Sequence, residues 1–254
     1  CRHLILLFTK TKLHTMRKLI LVLLALPFFC FAQEKNVVSV SRYFPKIDKV
    51  QQFEKALAAH AQTYHKGDVK WRVFTIESGP DAGGYHVVEG PTTWDATDTR
   101  GDLGKAHMDN WSTTIQPLLT ERGSNMYSVY RPELSTIALG DYSDKIAVNH
   151  IFYKPGYGAD LEDGIKKLKK AWEAGGQTVA VYEASSSGPP QYALVTRYKQ
   201  GLKERNTGFR APMKDRYIKA NGDKSWDEFT QMQRTAIDHS WSELLFYDAK
   251  LSSK

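Results

Sequence analysis

The sequence predicts an α+β fold in which two β-α-β-β-α-β repeats pack sheet against sheet. Three observations predict it. Two strand-like runs, each stopped by a breaker, open stretches that stand 148 − 40 = 108 positions apart at Val40 and Val148. Each run is followed by the same series: amphipathic helix, hairpin, second helix, last strand. Both hairpins also carry apolar residues on both sides, so a sheet made of one copy has a bare face that needs cover.

The first copy opens with the alternating run from Val37 to Phe44, ended by Pro45. A helix follows, with Val50, Phe53, Leu57 and Tyr64 at helical spacing and His60 and Ala61 between them. Val69 to Glu77 and Tyr85 to Glu89 form a hairpin around a Gly/Pro-rich turn. A second helix is expected from His107 to Arg122, kinked at Pro117, and a last strand from Met126 to Tyr130.

The second copy opens with Lys145 to Tyr153, stopped by Pro155-Gly156. Its helix shows Leu161, Ile165, Leu168 and Trp172 on one face, with Asp160 as a cap and Gly175-Gly176 as the stop. Thr178 to Glu183 and Gln191 to Tyr198 form its hairpin. A helix from Ser225 presents Trp226, Phe229, Met232, Ala236 and Trp241, and Leu245 to Lys250 closes the copy. The organisation is thus 1–15 upstream sequence, 16–32 export signal, 33–138 first repeat, 139–144 joint and 145–254 second repeat with an insertion at 201–225.

That element order is the ferredoxin-like arrangement. Written twice over nearly all of residues 36–252, it resembles a tandem fusion of the dimeric α+β barrel superfamily, a pseudo-dimer in one chain. Antibiotic-biosynthesis-type monooxygenases, stress-responsive A/B barrel proteins and haem-degrading monooxygenases belong there. The resemblance rests on order, repeat and length. It implies a barrel between the two sheets, and a monomer in which each repeat supplies the other's partner.

Composition bounds the function. The chain of 254 residues carries 35 Lys+Arg against 28 Asp+Glu. Five of the basic residues (Arg2, Lys10, Lys12, Arg17, Lys18) precede Gln33 with no acid among them, so the remainder holds 30 basic and 28 acidic residues. That near-balance argues against a nucleic-acid binder. Met16, the pair Arg17-Lys18, the apolar run from Leu19 and Cys30-Phe31-Ala32 read as an export signal cleaved before Gln33, which implies a periplasmic or extracellular protein with no membrane anchor after processing. Cys1 and Cys30 are the only cysteines and both lie in the leader, so the mature chain has no thiol chemistry and no disulfide. P-loop, dinucleotide, serine-elbow and zincin motifs are absent.

Candidate site residues are few. The histidines beyond the leader (His60, His65, His86, His107, His150, His239) stand singly, and His60 and His65 are five apart, so no metal site is read. The haem-degrading members carry an asparagine on the first strand, a tryptophan on the third and a histidine on the second helix. Asn149 matches the first by position and His239 stands for the histidine. Tyr198 is nearest to the missing tryptophan; the first copy offers Ser41 and His107 instead. Haem enters only through this resemblance, and no cofactor is predicted from the residues. Glu77 and Glu183 occupy matching strand ends, where a shared barrel would raise their pKa values. The insertion 201–225 holds seven basic residues against three acidic ones, so Arg205, Arg210 and Arg216 are candidates for contact with an anionic ligand. The expected function is binding of a small apolar or anionic molecule between the repeats. The alternatives are an oxidative enzyme of monooxygenase type, cofactor-independent or haem-dependent, and an interaction module that pairs through an exposed sheet edge.

Overall fold

The computed structural model describes residues 34–101 and 103–254; the leader lies outside them. Eight strands form the frame: β1 (Val37–Pro45), β2 (Trp71–Ser78), β3 (Tyr85–Thr92), β4 (Leu119–Tyr130), β5 (Lys145–Tyr153), β6 (Val179–Ser185), β7 (Gln191–Arg197) and β8 (Ile237–Tyr247). Six α-helices accompany them: α1 (Val50–Tyr64), α2 (Trp94–Thr99), α3 (Lys105–Asn110), α4 (Gly158–Ala174), α5 (Met213–Asn221) and α6 (Ser225–Ala236). The strands close into one barrel in the order β1-β3-β2-β8-β5-β7-β6-β4. Each half therefore runs 4-1-3-2 in its own numbering. The halves join along two seams, β2 with β8 and β4 with β6.

Alternation along the strands sorts side chains to two sides. Phe74, Ile76, Ile146, Val148 and Leu245 pack inside the barrel, drawn from both halves. The other faces carry the helices. Phe53 and Leu57 of α1 pack on Trp71, Val73, Tyr85 and Val87. In the second half Leu161, Ile165, Leu168 and Trp172 of α4 pack with Val179, Val181, Tyr192 and Leu194, and α5 and α6 add Tyr217 and Phe229. Closure leaves no unpaired sheet edge among the described residues, so association through an exposed edge has no template here.

Two elements differ from the sequence expectation. The helix expected from His107 to Arg122 is short: α3 passes into a π turn (Trp111–Ile115) and a 3-10 turn (Gln116–Leu118), and β4 begins at Leu119. Pro117, lacking an N–H, sits at the start of that last turn, and Leu119 already pairs with Pro45. Likewise α6 stops at Ala236. Residues 237–247 pair with β5 along their length, so Trp241 and His239 are strand residues. Sheet pairing overrides the helical spacing that Trp241 seemed to continue.

Past each last strand the chain crosses to the other half. After β4, Leu134 enters the second-half core, Arg131 N–H donates to Val181 O at 2.9 Å and Thr136 N–H to Val179 O at 2.9 Å. After β8, Leu251 enters the first-half core, Asp248 N–H donates to Val73 O at 2.9 Å and Ser253 N–H to Trp71 O at 3.0 Å. Hydroxyls repeat the pattern. Ser135 Oγ accepts from Val181 N–H and Ser252 Oγ accepts from Val73 N–H, both at 2.9 Å. Leu134-Ser135-Thr136 and Leu251-Ser252-Ser253 are thus matching arms, and each satisfies the outer edge of the other half's second strand.

Candidate functional site

The spaces that bear on ligand binding are the barrel interior, a cavity on the helix-covered face of each half, and a groove of about 440 Å³ beside the insertion. The barrel interior holds only about 80 Å³, because side chains fill it. Each helix-covered face holds much more: about 470 Å³ in the first half and about 440 Å³ in the second. Small-molecule sites occupy roughly 300–1,000 Å³, so the room for a ligand lies under the helices of each half rather than between the sheets.

The first-half cavity is built from the outward residues of β1 to β4. Ser39, Ser41 and Tyr43 come from β1, Trp71 from β2, Glu89 from β3, and Asn125 and Tyr127 from β4. α2, α3 and the segment between them close it with Arg100, His107 and Met108. Trp71, Tyr43 and Trp111 form an aromatic wall, with Tyr43 and Trp111 centred 5.2 Å apart. Glu89 is its polar anchor: Trp71 Nε1–H donates to it at 2.8 Å and Arg100 Nη2 at 3.0 Å. Burial alone would raise the Glu89 carboxyl, but hydrogen bonds from His65, Arg100 and Trp71 hold it below its ordinary value.

Behind that wall three histidines meet. His60, His65 and His107 each place a ring nitrogen within 4.8 Å of the others. The interval of five would separate His60 and His65 on a continuous helix. But α1 ends at Tyr64 and His65, its cap, leaves the helical conformation (φ −98°, ψ 89°), with its ring stacked on Trp71, centroids 3.6 Å apart. His107 arrives from the first turns of α3, its ring 4.8 Å from that of His60. His60 Nδ1–H donates to Asn110 Oδ1 at 2.8 Å. The His65 Nδ1–H is shared between Val69 O and Glu89 Oε2, each 3.1 Å away. The Nε2 atoms of His60 and His65 are buried with no hydrogen-bond partner. Burial, together with the neighbouring His65 and His107, pushes the His60 imidazole down to about 4 against the opposing bond to Asn110, so it is neutral near pH 7. The interval of five separates these residues on paper; the available signal was a histidine inside the buried stripe Phe53-Leu57-His60.

A second polar cluster lies inside the barrel. Arg42 from β1 forks onto Glu243 of β8, with Nη1 to Oε2 at 2.9 Å and Nη2 on Oε1, and also reaches Asp81. His150 Nε2–H donates to Glu243 at 2.9 Å while its ring stacks on Trp241, centroids 4.0 Å apart. Burial would raise the Glu243 carboxyl; the bonds from His150 and Arg42 and the Arg42 charge outweigh it and hold the group down to about 2. His86 close by is pushed down to about 3, chiefly by burial and then by Arg42. Every strong donor and acceptor of the Arg42–Glu243 pair is used internally, so this cluster reads as a tie across the barrel.

The residues singled out from sequence do not assemble. Asn149 lines the second-half cavity, but His239 is exposed on β8, stacked on Phe152 and paired with Asp238 at 2.7 Å. No residue lining that cavity is a histidine. Tyr198 is buried and bonded to Arg205 at 2.9 Å. The haem positions inferred by resemblance therefore do not converge. His107 in the first half meets the rings of Tyr64, His60 and His65 and also lines the first-half cavity. Glu77 is exposed at the end of β2 and accepts from Thr75 at 2.6 Å, whereas Glu183 pairs with Arg131; neither lines the barrel interior. Arg210 and Arg216 are spent on the end of α4: Arg210 Nε–H donates to Gly175 O at 2.9 Å and Arg216 Nη1–H to Ala171 O at 2.8 Å. Arg205 lines both the second-half cavity and a groove beside the insertion.

No family model and no curated protein matches the chain. Solved structures do. A "putative monooxygenase" from Lactobacillus acidophilus NCFM superposes with a TM-score of 0.52 at 10% identity, over 85% of this chain and 95% of its own. A second protein of that description, from Fusobacterium nucleatum subsp. nucleatum, gives 0.53 at 16% identity, over 83% and 91%. An anthrone oxidase-like protein gives 0.52 at 14% identity, over 85% and 93%. These likenesses show the fold: the ferredoxin-like, dimeric α+β barrel arrangement.

Proposed function

We propose that the chain is an oxidative enzyme of monooxygenase type, acting without haem on a flat aromatic small molecule held in the first-half cavity. The observation that carries this reading is the cavity of about 470 Å³ in which an aromatic wall (Tyr43, Trp71, Trp111) meets convergent polar groups (His65, His107, Glu89, Arg100). A planar ring stacks on such a wall with useful energy. The Glu89–Arg100 pair orients polar substituents on it, and the imidazole end is where the molecule is activated. An electron-rich aromatic anion formed there is a reductant for dioxygen. The names of the structural neighbours, two monooxygenases by description and one anthrone oxidase-like protein, support the reaction class.

Paired variants test it. Ser41 in β1 and Asn149 in β5 stand at matching positions on the floors of the two cavities. Ser41→Phe fills the first, Asn149→Phe the second. Hydroxylated polycyclic aromatics are expected to quench tryptophan fluorescence and to drive oxygen uptake at an electrode in wild type and Asn149→Phe, but not in Ser41→Phe. Equal uptake in both variants, or none in wild type, ends this reading.

The chain works as a single exported polypeptide in which the two halves take the place of two subunits. Supporting this are the matched arms, the barrel closed within one chain and the leader pattern before Gln33. No helix among the described residues is long and apolar enough to cross a membrane. Light scattering should give a monomer mass, and mass spectrometry of secreted material an amino terminus at Gln33.

A further inference from the structure

We propose that His60, His65 and His107 bind one divalent transition-metal ion, leaving a fourth position open toward the first-half cavity. The arrangement of these imidazoles carries the proposal. One nitrogen from each lies within 4.8 Å of one from each of the others. A tetrahedral ion with Zn–N bonds of about 2.0–2.1 Å needs nitrogens about 3.4 Å apart, so closure asks for side-chain movements on the order of 1 Å.

Two further observations point the same way. His60 is 1% exposed and His65 is 0% exposed, yet the Nε2 of each has no hydrogen-bond partner. Buried polar atoms without partners are costly and rare, and a metal ion supplies the missing partner for both. Their other nitrogens are held as second-sphere contacts hold metal ligands: His60 Nδ1–H on Asn110 Oδ1 at 2.8 Å, and His65 Nδ1–H on Val69 O and Glu89. Those bonds fix the tautomer that presents Nε2 as a lone pair.

The second half shows that the fold does not need these groups. Leu168, 168 − 60 = 108 positions on, occupies the place of His60 on the corresponding helix and is buried in an apolar cluster. Three imidazoles with no thiolate suit Zn²⁺, Cu²⁺, Ni²⁺ or Fe²⁺ and not Mg²⁺ or Ca²⁺. Three protein ligands with an open fourth position is the pattern of catalytic rather than structural sites.

The test uses the untagged chain, stripped with chelator, and no substrate, so it stands or falls apart from the oxidative reading. Co²⁺ should produce the visible d–d absorption of a low-coordinate nitrogen site at one equivalent, Zn²⁺ should displace it, and Mg²⁺ should not. His60→Leu, which installs the residue of the second half, should keep the circular dichroism spectrum and weaken Zn²⁺ binding in calorimetry by at least about 100-fold. Asn110→Ala touches no ion and should weaken it by about 10-fold or more, as removal of a second-sphere contact does. His107→Gln, on the cavity side, is the control should His60→Leu misfold, and it too should lose the Co²⁺ band. Absence of the band in wild type, or unchanged affinity in a folded His60→Leu or His107→Gln, overturns the proposal.

Discussion

The two helix-covered cavities share a frame and differ in chemistry. Both lie over a 4-1-3-2 sheet, and in both halves the start of the second strand is bonded by the other half's arm. In the second half the corresponding helix buries Leu161, Ile165, Leu168 and Trp172, and Trp226 and Phe229 line the space. In the first half imidazoles, Glu89 and Arg100 occupy it. Frame and contents have therefore separated: both halves keep an apolar core, and the first also gathers titratable groups beside its cavity.

The largest expected effect concerns the frame. Residues 33–138 and 141–254, made as separate chains, should show no cooperative thermal unfolding. Each would expose its part of the interior cluster of Phe74, Ile76, Ile146, Val148 and Leu245, and each would lose the arm that seals it. Two soluble monomeric fragments with sharp transitions would make the halves independent domains and break the comparison.

Next is the tie across the barrel. Glu243→Gln leaves the buried Arg42 with Asp81 alone, and losing one member of a buried pair costs about 3–5 kcal/mol. The pH dependence follows with a definite sign. Glu243, held down to about 2, contributes stability that is full above its unfolded value near 4.5 and is lost as pH falls toward 2. His86, held neutral and down to about 3, binds its proton more readily when unfolded, so its contribution also declines as pH falls below 6.5. Denaturant titrations should therefore show stability dropping on the acid side from about pH 6.5. His60, held down to about 4, shares the upper part of that slope, so His86→Phe should reduce it and His86→Phe with His60→Leu should remove most of it, while Glu243→Gln should remove the lower part.

The arms come third. Leu134 and Leu251 are 0% and 5% exposed in opposite cores, so each Leu→Ala exchange should cost about 2–5 kcal/mol. Similar losses, measured by urea titration, sharpen the equivalence of the halves. A negligible loss at Leu251 would mean that only the first crossing holds the barrel together.

Element order and the repeat were legible because strand alternation and helical stripes are local. The 108-residue interval between Val40 and Val148 was visible without any contact. The arms were not seen, although Leu134-Ser135-Thr136 and Leu251-Ser252-Ser253 match, because their partners lie in the other half and no local period reports a crossing. The histidine cluster was hidden by a small error at one helix end. Five residues on a straight helix keep His60 and His65 apart, but the helix ends at Tyr64 and both rings lie against Trp71. His239 failed in the opposite direction: helical spacing was extended through Trp241, but pairing with β5 had already turned the chain into a strand.

The smallest effect tests the basic insertion. Its excess of positive charge suggests attraction for an anion, yet two of its arginines have other work. Arg216 donates to Ala171 O and Ala211 O, and Arg210 to Gly175 O and to Glu204 at 2.5 Å, so they bind the insertion to the carbonyl end of α4. A basic group at a helix C-terminus is favoured by the unpaired carbonyls and the dipole. Changing both to Ser should lower stability by roughly 1–3 kcal/mol, as charged hydrogen bonds at half-buried sites do. It should leave any citrate- or phosphate-dependent thermal shift unchanged. Arg205 differs: its hydrogen bond goes to the Tyr198 hydroxyl, and it faces both the second-half cavity and the adjoining groove. Arg205→Ser should therefore cost little stability and reduce such a shift if one exists. An anion-dependent shift that survives Arg205→Ser but vanishes in the Arg210/Arg216 double variant would restore the insertion as a lid, and the apolar half of the molecule would then carry a ligand site of its own.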